Sequence, residues 1–373
     1  MQIGILKEIH KNEKRVAISP EIVKKLVALE HTVIIEPDAG NQSHISDNEL
    51  SDAGAQITTD FSNIDILFKV NAPSKEEIDK LKNGTTVISF FQIKDEIENI
   101  SSYISKELTI FSMSHIPRTT LAQNMDALSS QSNIAGYKAV IAGADHISKY
   151  MPLLMTAAGT IQPAKVLILG AGVAGLAAIA TAKRLGAQVF AFDVRPVVKE
   201  QVESLGAKFV EVKSDSEEGV GEGGYAKEVS DEYKKKQSEL IKETIAKMDL
   251  VITTALIPER PAPILIDKQM VESMKKGAAI IDLASPNGGN CELTISDEIT
   301  SHNGVIIDGR ANIPSTMPEH SSQLYARNLF NLFNYMYKEG TLNFEDEIVN
   351  GSMLLNKGKV NNETLQNFID KGN

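Results

Sequence analysis

The chain has 373 residues, more than one small core requires, so two domains are expected. Hydrophobic residues at 42% and charged residues at 23% fit a soluble globular protein, and a net charge of −11 without a large basic block argues against a nucleic-acid partner. Cys291 is the only cysteine, which excludes an internal disulfide and fits a reducing compartment.

The opening "MQIGILKE" is a strand followed by charges and does not read as a signal peptide. Up to about His115, the apolar runs "IGIL", "TVIIEP", "DILFKV", "TVISFF" and "LTIFSM" alternate with amphipathic stretches. In "SPEIVKKLVALE", Ser19 can cap a helix and Pro20 can take its first turn. This alternation predicts a parallel sheet covered on both faces. From Gln123 to Tyr150, helical periodicity without proline predicts a helix of roughly 40 Å, long enough to bridge two domains.

"TAAGTIQPAK" then breaks the chain. From Val166 to about Gly309 the runs "VLILG", "VFAFD", "KFVEV", "DLVITTA", "AAIIDLA" and "GVIIDG" predict a second doubly wound sheet. After Pro318, Leu329, Leu332, Phe333 and Met336 recur at helical spacing and predict a helix packed back on the first domain. The segment "TLNFEDEIVNGSMLLNKGKV" reads as short strands and turns. The expected fold is α/β, with two doubly wound Rossmann-like domains, a cleft between them and long joining helices. Residues 1–125 with 319–373 form one domain, and 126–318 the other. The apolar run Val166–Ala182 carries glycines at turn spacing and is too short for a comfortable bilayer span.

Within "VLILGAGVAGLAAIATAKRLGAQVFAFDVRP" (166–196), Gly170, Gly172 and Gly175 satisfy G-x-G-x-x-G between a strand and a helix. Gly170 permits the tight turn, Gly172 lets a pyrophosphate approach the backbone, and Gly175 lets the helix pack on the sheet. The helix N-terminus, at Val173 and Ala174, supplies N–H donors and partial positive charge to phosphates. Asp193 closes the next strand, where a carboxylate accepts ribose hydroxyls and repels a 2′-phosphate, selecting NAD over NADP. Arg195 could accommodate that phosphate, but the carboxylate carries more weight. A second match, "GEGGYA", follows acidic "SDSEEG" instead of a strand and reads as a loop with Tyr225 at its tip, either a plain connection or a lid. One bound nucleotide is expected, and no metal site. Between the domains, "IPRTTLAQNMDALSSQSN" brings Arg118, Gln123, Asp126 and Ser129 together. The last three are expected on one helical face, either solvated or lining a ligand crevice.

Long contiguous stretches resemble a known family. "KEIHKNEKRVAISPE", "AQNMDALSSQSNIAGYKAV", "MTAAGTIQPAKVLILGAGVAGLAAIATAKRLGA", "GGYAKE", "ITTALIPERPAP" and "GGNCELT" are similar to the soluble NAD(H)-binding component, the first domain of the alpha subunit, of proton-translocating nicotinamide nucleotide transhydrogenases. The resemblance covers nearly the whole chain. Alanine dehydrogenase is the sister family, sharing the fold and the "RVA.SP" opening. That enzyme needs a histidine acid/base in its first domain, with an arginine and a lysine to hold substrate. Arg15 and Lys69 stand at the arginine and lysine positions and are expected to pair at the surface or a domain interface. Gln92 falls at the histidine position, and no histidine lies between His44 and His115. A glutamine cannot exchange a proton at neutral pH, so carbonyl or imine reduction loses its acid. Hydride transfer from C4 of one nicotinamide to C4 of another requires no such acid.

The resemblance implies roles position by position. Gly170, Gly172 and Gly175, with Val173 and Ala174, match the phosphate turn, and Asp193 with Arg195 the ribose end. Arg118, Gln123, Asp126 and Ser129 match the polar loop beside the nicotinamide, Gln123 and Asp126 being nearest the chemistry. Tyr225 and Ala226 match a mobile loop closing over the nucleotide, and Ala255 and Leu256 belong to the cofactor wall. Leu121 replaces an arginine common in relatives, and Ser285, Pro286 and Asn287 replace acidic and small residues before the double glycine. The resemblance further implies a homodimer, with NADP(H) on a partner domain, proton conduction in membrane subunits, and a cytoplasmic location at the membrane through those partners. The rival readings are an alanine dehydrogenase and a non-enzymatic NADH-sensing module.

Overall fold

The computed structural model describes residues 1–212, 231–257, 260–338 and 342–372. They form two compact units, Met1–Gln131 with Ser315–Asn373, and Ser132–Pro314.

In the first unit, the five anticipated runs become the parallel strands Gln2–Ile5, Thr32–Ile35, Ile66–Phe68, Thr86–Ser89 and Thr109–Ser112, with a short sixth at Gln56–Ile57. Gln2–Ile5 lies between Thr32–Ile35 and Ile66–Phe68, so the chain winds outward to one edge, returns, and winds to the other. Such a reversal leaves a crevice at the carboxyl ends of the central strands, where ligands bind in open α/β sheets. Ser19 accepts a hydrogen bond from Ile22 N at 3.4 Å, capping the helix Pro20–Ala28 at its proline. Leu329, Leu332, Phe333 and Met336 on the helix Pro318–Tyr337 are buried in one core with Ile3, Val33 and Phe68. Beyond it the tail holds more helix than expected. Glu347–Ser352 and Glu363–Gly372 flank Met353–Asn356, which joins the sheet edge antiparallel to Thr109–Ser112. Asp346, accepting from Ile348 N and Val349 N, starts the first of these helices and was the overlooked signal.

Arg15 and Lys69 do not pair at the surface. Both are buried within this unit, at 7% and 0% exposure. The Arg15 guanidinium forks onto Glu13, with Nε to Oε1 at 2.8 Å and Nη2 to Oε2 at 2.6 Å, and its Nη1 donates to Gln131 Oε1 at 2.9 Å. Lys69 Nζ sits 2.6 Å from Glu77 Oε1 and 3.6 Å from Glu8 Oε2. Burial holds the Glu8 carboxyl above its usual range, and Lys69 with the Val70 N–H only partly offsets this. No sequence pattern singles out Glu8, Glu13 and Glu77 as the partners of this network.

In the second unit the strand order is Lys208–Phe209, Gln188–Phe192, Lys165–Leu169, Leu250–Thr253, Ala279–Asp282, Val305–Asp308 and Ile299–His302, parallel except for the last. This is the doubly wound order, with its reversal between Lys165–Leu169 and Leu250–Thr253. "KFVEV" yields only the two-residue strand Lys208–Phe209. The segment expected only to break the chain forms the hairpin Leu154–Thr156 with Gly159–Ile161. The long helix runs from Ala127 to His146, shorter at both ends than the periodicity suggested. Among the described residues, no helix is long and apolar enough to cross a membrane.

Lys69→Met should lower unfolding stability by about 3–5 kcal/mol, because it leaves buried carboxylates uncompensated. Lys69→Met combined with Glu77→Gln should recover much of that loss in urea titrations. Equal loss in the single and double variants would show the pair to be energetically idle.

Candidate functional site

At the reversal point of the second unit, the chain leaves Lys165–Leu169 and turns at Gly170 with φ +101°. A side chain there would be strained, and its Cβ would lie 2.5 Å from Thr254 Oγ1. A Cβ on Gly175 would come within 1.9 Å of the Gly170 carbonyl oxygen, so the helix Val173–Arg184 sits against the turn with no room for a methyl group. At Gly172 the geometry is opposite, since a Cβ would meet nothing within 4 Å. Space therefore opens above the middle glycine, at a helix N-terminus that no side chain caps. Backbone N–H groups without a side-chain cap, with the helix dipole behind them, fit a pyrophosphate. The helix Ala127–His146 abuts this N-terminus, where a Cβ on Gly136 would lie 2.0 Å from Ala174 O.

Asp193, 8% exposed, follows the strand Gln188–Phe192. Its Oδ2 accepts from Ala171 N at 2.7 Å, which ties the end of that strand to the glycine turn. Arg195 bonds to the same carboxylate through Nε at 2.9 Å and Nη2 at 2.7 Å. The sequence brought these two residues together but not their mutual engagement.

A second wall follows Leu250–Thr253. Thr254 Oγ1 donates to Gly170 O at 3.0 Å. Ala255 is held at both ends of its peptide groups by Asn290, whose Oδ1 accepts from Ala255 N at 3.0 Å and whose Nδ2 donates to Ala255 O at 2.9 Å and Pro263 O at 2.8 Å. Asn290 is in turn fixed by Asp282, which ends the strand Ala279–Asp282. The Asp282 carboxylate accepts from Thr253 Oγ1, Ala284 N, Asn290 N, Cys291 N and Thr294 Oγ1 at 2.7–3.1 Å. Such saturation suits a buried charge, which is costly unless fully hydrogen-bonded. Leu256 and Val173 are 43% and 40% exposed and offer apolar surface beside the turn. Asn290 and Asp282 escaped the sequence reading as site residues, although "GGNC" lay within a quoted motif. Ser285, Pro286 and Asn287 form a 3₁₀ turn closed by Ser285 Oγ to Gly309 O at 2.6 Å.

In the first unit, Gln123, Asp126 and Ser129 do not share one continuous helical face. Gln123 opens a 3₁₀ turn, Gln123–Met125, and Asp126 leaves helical geometry at ψ 87°. Asp126 accepts from Ser129 N at 2.9 Å and Ser129 Oγ at 2.5 Å, acting as the N-terminal cap that starts the helix at Ala127. An aspartate's competition for backbone N–H groups is what breaks the pattern. The turn is clamped to the helix Pro318–Tyr337, because Asn124 O accepts from Asn328 Nδ2 and Asn331 Nδ2, both at 2.9 Å. Gln123 and Arg118 are exposed, as is Leu121 at 62%. Tyr225 and Ala226 lie outside the described residues.

Gln92 is exposed and precedes the helix Ile93–Glu96 without a side-chain capping bond. His115 lies near this segment, since its Nδ1 is 2.8 Å from Ser112 Oγ and Ser112 Oγ donates to Phe91 O at 3.4 Å. Burial pulls the His115 pKa below the ordinary imidazole range, which favours a neutral ring.

Two doubly wound units, one with an open glycine turn at its reversal point, define a dinucleotide-binding protein of the Rossmann class. The families described as "Alanine dehydrogenase/PNT, N-terminal domain" and "Alanine dehydrogenase/PNT, C-terminal domain" match residues 4–135 and 139–363. The chain belongs to the alanine dehydrogenase/PNT family. It is 45% identical over 366 residues to the NAD(P) transhydrogenase subunit alpha of Haemophilus influenzae, covering 96% of this chain and 71% of that one. It is 44% identical over 374 residues to an NAD(P) transhydrogenase subunit alpha chain of Rhodospirillum rubrum, covering 96% and 97%. Alanine dehydrogenase 2 of Staphylococcus aureus is more distant, at 31% over 336 residues, covering 86% and 83%. The crystal structure of transhydrogenase from Sinorhizobium meliloti superposes with a TM-score of 0.87 at 42% identity, covering 98% of this chain and 100% of that chain.

Replacing Asn290 by Ala should release the Ala255 peptide and raise the NADH dissociation constant about tenfold, equivalent to ~1.4 kcal/mol. Fluorescence titration of NADH measures this, and an unchanged constant would remove the Ala255–Leu256 segment from the pocket.

Proposed function

We propose that this chain is the NAD(H)-binding component of a proton-translocating NAD(P) transhydrogenase. In that role it holds NADH while hydride passes directly to NADP+ on a partner domain, and separate membrane subunits couple the exchange to proton movement. The observation that carries the reading is Gln92. It occupies the position where alanine dehydrogenase resemblance would require a histidine, and a carboxamide has no proton to give at neutral pH. Likeness to transhydrogenase alpha chains at 44–45% identity, against 31% for alanine dehydrogenase 2, supports the same choice.

Bound NADH would supply the hydride. The protein's own tasks are to bind, orient and exclude water, because neither nicotinamide acquires a proton when C4 gives hydride to C4. Gly170, Gly172 and Gly175, with Val173 and Ala174 N–H groups, are assigned to the pyrophosphate, and Asp193 with Arg195 to the adenosine ribose. Ala255 and Leu256 are assigned to the wall of the pocket. Gln123 and Asp126, with Arg118 and Ser129, are assigned to the nicotinamide and its ribose. The clamp from Asn328 and Asn331 supports that assignment by removing freedom from the Gln123 turn before ligand arrives. Tyr225 and Ala226, outside the described residues, are assigned to nucleotide binding by the family resemblance alone. The reading further includes a homodimer of this chain, NADP(H) held by the partner, and a cytoplasmic position at the membrane maintained through that partner.

Purified chain should bind NADH yet show no NADH oxidation dependent on pyruvate and ammonium, and adding the NADP(H)-binding partner should start hydride exchange. Gln123→Asn should lower that exchange rate about tenfold or more while preserving the fold. Pyruvate-dependent turnover by the chain alone would overturn the proposal, and unchanged exchange in Gln123→Asn would remove Gln123 from the site.

A further inference from the structure

The Asp193 carboxylate is already full. Oδ1 accepts from Arg195 N and Arg195 Nε, both at 2.9 Å, and Oδ2 accepts from Ala171 N and Arg195 Nη2, both at 2.7 Å. An ionised carboxylate offers about four acceptor sites, two on each oxygen. Two of these bonds are backbone bonds that hold the glycine turn and the strand end in place. The other two come from one side chain, the Arg195 guanidinium, which is 16% exposed.

We infer that the Arg195 guanidinium is a resident occupant of the ribose subsite, displaced when the two hydroxyls of the adenosine ribose of NAD(H) take over one carboxylate oxygen each. The inference rests on the assignment of Asp193 to the ribose. Withdrawing Nε vacates one site on Oδ1, and withdrawing Nη2 vacates one on Oδ2. A cis-diol presents two O–H donors and fills both vacancies, while the bonds from Ala171 N and Arg195 N remain. The carboxylate therefore keeps four donors throughout. A 2′-phosphorylated ribose cannot make this exchange. It has lost one O–H donor and would bring negative charge against the carboxylate that the guanidinium had neutralised. Arg195 thus acts as a specificity filter, giving up Asp193 only to a ligand that offers both hydroxyls. Its cost is affinity, because each binding event must break a bidentate charge-assisted pair.

The full chain is titrated with NADH at fixed ionic strength, following cofactor fluorescence, for the parent, Arg195→Ala, Arg195→Gln and Asp193→Asn. Melting curves of each variant without nucleotide verify folding. Both Arg195 variants should bind NADH about three- to tenfold more tightly than the parent, and Asp193→Asn about tenfold more weakly. For NADH lacking the 2′-hydroxyl of its adenosine ribose, the gain in the Arg195 variants should shrink. Weaker Asp193→Asn binding with unchanged or weaker binding by both Arg195 variants would overturn the displacement and leave the ribose assignment intact. Unchanged NADH affinity in Asp193→Asn would overturn the ribose assignment and the displacement with it.

Discussion

The glycine turn assigned to the nucleotide depends on one close approach. The carbonyl of Gly170 and the backbone at Gly175 are so near that a methyl group on Gly175 would lie 1.9 Å from that oxygen. This contact fixes the angle at which the helix Val173–Arg184 leaves the sheet, and hence the direction of its uncapped N–H groups. Neighbouring segments are referenced to the same turn. Asp193 reaches it through Ala171 N, Thr254 through the Gly170 carbonyl, and Gly136 through Ala174. Asn290 and Asp282 then carry rigidity outward to the Ala255 wall. Preorganisation of this kind spares the ligand the cost of ordering its own pocket.

Much of this was legible in the sequence because it follows from strong local constraints. Three glycines between a strand and a helix permit few alternatives, and the apolar runs of both units became strands. The site was less legible wherever a polar side chain acts at long sequence distance. Asn290 holds Ala255 across 35 residues, and Asn328 holds Asn124 across 204. No periodicity signals such pairings. The stretch from Gln123 to Ser129 failed for another reason, since Asp126 caps a helix where apolar spacing alone suggested uninterrupted continuation. The surface alternative for Arg15 and Lys69 failed because charged residues are rarely buried unless paired, and their partners Glu13 and Glu77 carried no sequence mark.

The two branches of the alanine dehydrogenase/PNT family share a scaffold, so fold cannot separate their chemistry. What separates them is the availability of a proton. Imine or carbonyl reduction leaves a heteroatom that must be protonated, whereas hydride exchange between two nicotinamides leaves none. Gln92 fits the second case. His115 is the nearby imidazole to consider, and burial favours its neutral form while Ser112 engages its Nδ1. An electroneutral exchange also suits a chain whose contribution is positional, with Gln123 and Asp126 set on a clamped turn.

The most direct measurement uses the chain assembled with the NADP(H)-binding and membrane partners proposed for it. NADH deuterated at both C4 positions is mixed with NADP+ in ordinary water, and the product NADPH is analysed by mass. Direct transfer predicts one deuterium gained per NADPH formed, with none exchanged for solvent hydrogen. Loss of the label to water would contradict the account, because direct hydride transfer forms no proton-exchanging intermediate.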